Sequence, residues 1–232
     1  MQALQLSSNS HGKPLLESAR GLHFSVAHTQ GALLCAVTLD GDVGVDIELR
    51  NRVDGKPSSS VERLAQRYFS ADEHAELCAL PDDASKRARF VELWTLKEAY
   101  VKALGRGIAA APLAGFSMRV ARASGSSRVG RIHLEHGVSS HFAPELYTRA
   151  THAGQQTELC GWHFWLLNLG GQTTEGDGGI GDDHVAAVCA PCIAPNRSPL
   201  LRCWRALPTV HERSVHLDPL AEGRTATACA AA

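Results

Sequence analysis

The sequence predicts an α+β fold, because segments with strand patterns and segments with helix patterns are grouped in separate parts of the chain. Short apolar runs and alternating patterns indicate strands in residues 22–50. Three helical patterns follow within residues 59–104, and strand-like runs return between residues 116 and 190. A chain organised in this way is expected to pack its helices against a largely antiparallel sheet.

The clearest strand pattern covers residues 43–50, where four apolar residues alternate with four others: Val43, Val45, Ile47 and Leu49 against Gly44, Asp46, Glu48 and Arg50. Since side chains alternate across a strand, the two carboxylates are predicted on one face and the apolar residues on the other. An apolar run from Ala32 to Leu39 precedes this segment. Asp40-Gly41 between the two runs predicts a hairpin turn.

Three helices are predicted from capping residues and apolar periodicity. The first begins at the capping-box spacing of Ser59 and Glu62 and continues to about Tyr68. The second begins at Ser70-Ala71-Asp72-Glu73 and ends near Leu80-Pro81. The longest runs from about Ser85 to Leu104 and stops at Gly105-Arg106-Gly107.

Two features of the longest predicted helix suggest a function. Lys97 falls inside its apolar stripe, where a lysine must pair, extend to solvent or face a ligand cleft. Glu98 and Lys102, four residues apart, lie together at the edge of the stripe. From the pattern alone, a structural ion pair and a functional site both remain open.

Composition excludes several classes of protein. Apolar residues make up 44% of the 232 residues and charged residues 20%, as in an ordinary globular protein. A formal net charge of −1 gives no sign of a nucleic-acid or membrane partner. We find no apolar run long enough to span a membrane and no secretory signal. Seven cysteines without a disulfide-scaffold spacing favour a reducing, cytoplasmic location.

Asp46 and Glu48 are the candidate metal ligands. Mg²⁺ prefers a few carboxylates and completes its shell with waters and substrate phosphates. The alternative is an edge strand with a solvated acidic face, which the surface preference of Asp and Glu favours when the pair is considered alone.

The combination of motifs favours a functional site. Val43-Gly44-Val45-Asp46-Ile47-Glu48 is followed, after 45 residues, by Trp94-Thr95-Leu96-Lys97-Glu98-Ala99-Tyr100-Val101-Lys102. This pair of segments closely resembles the two signature motifs of 4′-phosphopantetheinyl transferases. Further similar segments are Phe24-Ser25-Val26-Ala27-His28-Thr29, Arg67-Tyr68-Phe69-Ser70-Ala71-Asp72-Glu73 and His11-Gly12-Lys13-Pro14. The chain is most similar to the larger, surfactin-synthetase-activating type.

The resemblance implies a role for each matching residue. Asp46, Glu48 and Glu98 would hold Mg²⁺ against the pyrophosphate of coenzyme A. Phosphate oxygens would be bound by Lys97, Lys102, His28 and Lys13, the last near the adenosine 3′-phosphate. A serine of an acyl or peptidyl carrier protein would attack the β-phosphate and release adenosine 3′,5′-bisphosphate. Glu98, directly or through a metal-bound water, is the expected general base, with Glu73 a weaker candidate.

The same resemblance implies two pseudo-symmetric lobes with the first lobe reduced. Residues 1–42 would be a remnant of the N-terminal lobe and residues 43–190 the catalytic lobe. Residues 191–232, with scattered Pro and Arg, are expected to form a poorly ordered tail. Two other functions remain open: a truncated, non-catalytic relative that binds coenzyme A or a carrier protein, and a Mg²⁺-dependent phosphohydrolase.

Overall fold

The computed structural model describes residues 5–18, 21–120, 127–129, 132–135, 138–142, 162–168, 184–191, 200–208 and 215–224. Its helices are α1 (Ser58–Tyr68), α2 (Ala71–Cys78), α3 (Asp83–Leu104) and α4 (Gly107–Ala110), with short 3-10 helices at Arg50–Val53 and Leu113–Gly115. This mixture of helices with antiparallel sheets confirms the predicted α+β class.

The largest sheet has five strands in the order β5-β11-β10-β8-β7. Its strands are β5 (Gly44–Leu49), β7 (Ser127–Val129), β8 (Ile132–Glu135), β10 (Trp162–Asn168) and β11 (His184–Pro191). Each neighbouring pair is antiparallel, and Asp46 of β5 lies opposite Ala187 of β11. The strand that carries both predicted metal-binding carboxylates is therefore joined to the sheet through β11.

The remaining strands pair in twos. β1 (Leu6–Ser8) pairs with β2 (Pro14–Leu16), β3 (His23–Thr29) with β4 (Ala32–Thr38), β6 (Phe116–Val120) with β9 (Val138–Phe142), and β12 (Leu200–Pro208) with β13 (Val215–Arg224). The β3–β4 hairpin also borders β5, where the Ser25 hydroxyl accepts a hydrogen bond from the Val45 backbone nitrogen at 3.2 Å.

The five-stranded sheet has a buried core on each face. Alternate residues of β11 show the division: Val185, Ala187 and Cys189 pack with α3, whereas Ala186 and Val188 pack with Ala27 of the β3–β4 hairpin. Strand β5 follows the same rule, so that Val45 and Ile47 face the hairpin. The predicted alternation is confirmed, but the apolar face of β5 and its polar face are both covered.

Helix α3 begins and ends close to the predicted residues. Asp82 caps its first turn by accepting a hydrogen bond from the Ser85 nitrogen, and Gly105 ends it in the left-handed conformation. α3 is buried along most of its second half, on several sides, because α1, α2 and the sheet all pack against it. The single apolar stripe predicted for it is therefore too narrow. No described helix is long and apolar enough to cross a membrane.

Two local predictions were wrong. Asp40-Gly41 does not join a hairpin, because β4 pairs with β3 through the turn at Gln30-Gly31 and β5 pairs with β11. Helix α1 begins after Pro57 without a side-chain cap, so the Ser59–Glu62 capping box does not form. In both cases a local signal was present, but the contacts of the following element with the core decided the structure. The capping box of Ser70 and Glu73 at α2 does form.

Part of the segment after residue 191 differs from the expected disordered tail. Strands β12 and β13 pair along almost their whole length, with an irregularity between Cys203 and Trp204. The alternation of Val215, His216, Leu217 and Asp218 is compatible with a strand, but the neighbouring prolines concealed it. Residues 192–199, 209–214 and 225–232 lie outside the described residues, and the division of the chain at residue 42 stays a prediction.

Gly44 provides a test of how β5 and α3 are held together. A methyl group added at Gly44 would overlap with the backbone of Ala99 and Ala103 in α3. We expect Gly44→Ala to lower the free energy of unfolding by about 3 kcal/mol or more, because backbone atoms cannot give way as a flexible side chain can. Chemical denaturation monitored by circular dichroism measures the change.

Gly55→Ala is the matched control. Gly55 has open space around it but a φ of 73°, so an added methyl group costs only backbone strain, about 1–2 kcal/mol. Equal losses of stability in the two variants would contradict the close contact between β5 and α3.

Candidate active site

The carboxylates of β5 face helix α3. Because Val45 and Ile47 point towards the β3–β4 hairpin, Gly44, Asp46 and Glu48 point the other way. Gly44 lies directly against the α3 backbone at Ala99, which leaves no space between strand and helix at that point. The next polar positions along the strand therefore meet the side chains of α3 near Glu98 and Lys102.

Lys102 donates a hydrogen bond to Asp46 and forms an ion pair with it, with Nζ 2.7 Å from Oδ1. Asp46 is only 6% exposed, and its second oxygen, Oδ2, is buried without a hydrogen-bond partner among the described residues. Burial raises the pKa of Asp46, and Lys102 opposes that rise. Asp46 thus presents one paired oxygen and one oxygen that lacks a partner.

Glu48 and Glu98 complete an acidic cluster around Asp46. Glu48 forms an ion pair with Arg52, which follows it in the short 3-10 helix Arg50–Val53. Burial raises the pKa of Glu98, and the negative charge of Asp46 raises it further. The site therefore holds three carboxylates and two cations, Lys102 and Arg52, with one negative charge in excess when all five groups are ionised.

This donor set fits a divalent cation of the Mg²⁺ type. The unpartnered Asp46 oxygen and the raised pKa of Glu98 both show negative charge that the protein itself does not fully compensate. Oxygen ligands of this kind are those that Mg²⁺ prefers. Within the described residues, however, no three His, Cys, Asp or Glu side chains are already arranged as a metal-binding group. Two of the carboxylates are turned towards Lys102 and Arg52.

Lys97 lies apart from this cluster, although it is adjacent to Glu98 in sequence. Its side chain is fully buried, and Nζ lies 2.8 Å from Oε2 of Glu73. The ammonium also donates to the carbonyl oxygens of Leu113 and Phe116, at 2.8 and 2.5 Å, and lies 4.2 Å from the centre of the Phe116 ring. Burial lowers the pKa of Lys97 to about 8, and Glu73 opposes that effect.

Glu73 connects Lys97 to two more elements. Its Oε2 accepts the Ser70 backbone N–H at the start of α2, and its Oε1 accepts the Met118 N–H of β6 at 2.6 Å. These hydrogen bonds account for both oxygens of a nearly inaccessible carboxylate. The Lys97–Glu73 pair therefore fixes α3 relative to α2 and β6. Neither group contacts the acidic cluster through any hydrogen bond or ion pair recorded for the described residues.

Lys13 and His28 occupy separate positions. Lys13 donates hydrogen bonds to the Ala103 carbonyl at 2.8 Å and to Asp42 at 3.0 Å, next to the end of α3. His28 lies on β3 with an exposed side chain, beside the buried Ala27. For the described part of the chain, no hydrogen bond or ion pair joins either residue to Asp46, Glu48 or Glu98. Binding of phosphate by Lys13 and His28 stays a prediction.

Arg52 is the site residue that sequence reasoning missed. The alternation of residues 43–50 suggested a strand through Arg50, whereas β5 ends at Leu49 and the chain turns into the 3-10 helix. That turn brings Arg52 back to Glu48. The guanidinium also lies over the Trp94 ring of α3, 4.9 Å from its centre. An arginine four residues after the second carboxylate was the available signal.

Comparison with known sequences agrees with the motifs. The family model of the 4′-phosphopantetheinyl transferase superfamily matches residues 42–189, which include β5, α3 and most of β11. This match covers more than half of the 232 residues. The chain therefore belongs to the 4′-phosphopantetheinyl transferase superfamily, and its relatives are of the surfactin-synthetase-activating type.

Three curated relatives illustrate the similarity. The 4′-phosphopantetheinyl transferase HetI of Nostoc is 42% identical over 103 residues, which are 43% of this chain and 41% of that protein. The 4′-phosphopantetheinyl transferase psf-1 of Bacillus pumilus is 33% identical over 108 residues, which are 47% of this chain and 42% of that protein. Sfp of Bacillus subtilis is 32% identical over 50% of this chain and 48% of that protein. The matched region thus spans less than half the length of each relative.

Solved structures add little to these comparisons. The holo-[acyl-carrier-protein] synthase of Thermotoga maritima aligns with a TM-score of 0.35 at 14% identity, over 78% of this chain and 84% of that one. A TM-score of this size carries no argument about the arrangement of the elements.

The buried ion pair can be tested by removing one partner. We expect Lys97→Met to destabilise the protein by about 3–5 kcal/mol, because Glu73 would remain buried and charged without its counter-ion. Adding Glu73→Gln should recover part of that loss, since the uncompensated charge is then removed. Lys86→Met, which breaks the outer pair with Glu62, should cost far less. Urea denaturation of the four proteins measures these differences.

The raised pKa of Glu98 predicts that the Glu98→Gln variant is more stable than the parent by an amount that depends on pH. In the native protein Glu98 takes up its proton at a higher pH than in the unfolded chain, so its charged form opposes folding above the native pKa. Without added metal, Glu98→Gln should therefore be more stable than the parent at pH 7. The difference should shrink as the pH falls from the native pKa to the lower pKa of the unfolded chain, below which Glu98 is neutral in both states.

Asp82→Asn is expected to change the stability in the opposite direction, so that the variant is less stable than the parent at pH 7. Hydrogen bonds from Ser85 lower the pKa of Asp82, so its charge favours folding at pH 7 and loses that effect as the pH falls. Thermal unfolding of Glu98→Gln and Asp82→Asn between about pH 2 and pH 7, in the presence of EDTA, compares them, because the effect of Asp82 is lost only below the unfolded pKa of about 3.9. A Glu98→Gln variant less stable than the parent at pH 7 would contradict the assigned environment of Glu98.

Proposed function

We propose that the protein transfers the 4′-phosphopantetheine arm of coenzyme A to a serine hydroxyl of an acyl or peptidyl carrier protein. The observation that carries this proposal is the meeting of Asp46 and Glu98 beside Lys102, with one Asp46 oxygen unpartnered, in a chain of this superfamily. Carboxylates and cations are gathered there on rigid elements, as a reaction on a pyrophosphate requires.

In this proposal Asp46, Glu48 and Glu98 hold Mg²⁺. The cation, when bound, supplies positive charge that neutralises the charge developing on the pyrophosphate as its bond breaks. For this role Glu48 has to release Arg52. Asp46 has to share its oxygens between Lys102 and the cation. Both exchanges involve groups at the edge of the cluster, since Arg52 is 40% exposed and Lys102 33%.

The proposed reaction is a displacement at the β-phosphorus of coenzyme A. The serine oxygen bonds to that phosphorus, the bond from phosphorus to the bridging oxygen breaks, and adenosine 3′,5′-bisphosphate leaves. Glu98 accepts the serine proton, as a carboxylate beside Asp46 on the helix that borders β5. Lys102 contacts the phosphate oxygens as its pairing with Asp46 loosens.

The structure of the Lys97 network favours a supporting role for Lys97 over a phosphate contact. To reach a phosphate, the ammonium would have to leave Glu73 and the two carbonyl oxygens that hold it in the interior. Lys97 instead fixes the orientation of α3, from which Glu98 and Lys102 project. Lys13 and His28 remain proposed contacts of the nucleotide half of coenzyme A.

The first experiment is mass spectrometry of apo carrier proteins incubated with the protein, coenzyme A and Mg²⁺. We expect the mass of one phosphopantetheine arm to be added to the carrier, and EDTA to abolish the addition. Fatty-acid, polyketide and peptide carriers should each be tried. Release of product from coenzyme A without any carrier would indicate a phosphohydrolase instead.

The Glu98→Gln variant tests the assignment of the base. Its rate of transfer should fall by about 10²–10⁴-fold, the usual contribution of a general base, and the loss of a proposed metal ligand adds to that. Arg63→Gln on α1, which breaks only a bond to Ser60, should transfer at the parental rate. Transfer retained in a folded Glu98→Gln variant would remove Glu98 from the mechanism.

A further inference from the structure

Arg52 differs from the other cations near the acidic cluster in how it is held. Its guanidinium pairs with Glu48, and its central carbon lies over the Trp94 ring, 4.9 Å from the ring centre. Trp94 is on α3, one turn before Glu98, whereas Glu48 is on β5. Arg52 therefore bridges the two elements that build the proposed metal site, and 40% of its side chain remains open to solvent.

Glu48, the partner of Arg52, is also a proposed ligand of the divalent cation. Glu48 lies two residues after Asp46 on the same face of β5, so the Glu48 carboxylate can reach a cation that is bound at Asp46. Partly exposed ion pairs contribute little to stability. Replacing Arg52 by a doubly charged cation at Glu48 is therefore favourable, and it leaves the guanidinium without its carboxylate.

A guanidinium freed in this way is well suited to a phosphate group. It carries five N–H donors in a planar fork that matches phosphate oxygens, and it stays charged at every physiological pH. Contact with the Trp94 ring keeps it beside the site after Glu48 has turned away, so that little conformational freedom is lost on binding a ligand. The positive charge of Arg52 lowers the pKa of both Asp46 and Glu98, so the guanidinium is close to the acidic cluster.

We propose that Arg52 is a phosphate-binding residue with two alternating partners. It pairs with Glu48 in the metal-free protein, and it binds a phosphate oxygen of the donor when Glu48 turns to the divalent cation. This inference rests on the proposed metal-dependent transfer and deepens it, since it assigns the donor phosphates a ligand outside both signature motifs.

Two binding measurements test this assignment without requiring turnover. The first is the affinity for Mn²⁺ in the absence of coenzyme A, from the paramagnetic resonance signal of the free ion. Arg52→Gln should bind Mn²⁺ about two- to fivefold more tightly than the parent, because Glu48 no longer has a competing partner. Arg52→Lys should lie closer to the parent, and the control Arg63→Gln should match it.

The second measurement is the affinity for coenzyme A in the presence of saturating Mg²⁺, by titration calorimetry. Arg52→Gln should bind coenzyme A about tenfold more weakly, because one charge-assisted contact with phosphate is lost. Arg52→Lys should be intermediate, since an ammonium keeps the charge but not the fork. Arg63→Gln should again be unchanged.

The opposite signs of the two effects distinguish this role from a structural one. Damage to the site would lower the affinities for Mn²⁺ and coenzyme A together. Circular dichroism of Arg52→Gln and Arg52→Lys checks that both variants are folded. If the parent binds Mn²⁺ and coenzyme A but Arg52→Gln changes neither affinity, or lowers both, the role of Arg52 is wrong and the proposed function stands. A parent protein that binds no Mn²⁺ would overturn both proposals.

Discussion

The contact between β5 and α3 at Gly44 determines where the charged groups of this protein can lie. Because Gly44 has no side chain, the backbone of α3 approaches the strand at Ala99 and Ala103. That approach brings Glu98 and Lys102 beside Asp46, while the opposite face of the strand packs on the β3–β4 hairpin. A bulkier residue would move the helix away from the strand. Glu98 on α3 would then lie farther from Asp46 and Glu48 on β5.

The two neighbouring residues Lys97 and Glu98 show how one helix serves packing and chemistry together. Successive residues of a helix point about 100° apart, so the two side chains enter different environments. Lys97 enters an interior formed by α2, β6 and the segment before β6, where Glu73 and two carbonyls surround its charge. Glu98 faces β5. The ion pair with Glu73 therefore sets the rotation of α3, and that rotation sets the direction of Glu98.

The sequence allowed the local parts of this arrangement to be predicted. Strand alternation placed Asp46 and Glu48 on one face, and capping residues located the ends of α3, since both depend on a few neighbouring residues. The partners of β5 and Lys97 could not be predicted in this way. β5 pairs with β11, far along the chain, and Lys97 meets carbonyls 16 and 19 residues later, so both depend on how distant segments return to the core. Arg52 was missed because the end of β5 is set by those same contacts.

The covered position of β5 has a consequence for the way in which the site can be lost. Many binding sites are built from loops that open locally at little free-energy cost while the rest of the protein stays folded. Here Asp46 is carried by a strand that is hydrogen-bonded to β11, bonded at Val45 to Ser25, and buried on both faces. The amide hydrogens of β5 that donate to β11 are therefore protected from exchange by the ladder and by the two covered faces. The acidic cluster is therefore part of the same cooperative unit as the core, and the site persists for as long as the fold does.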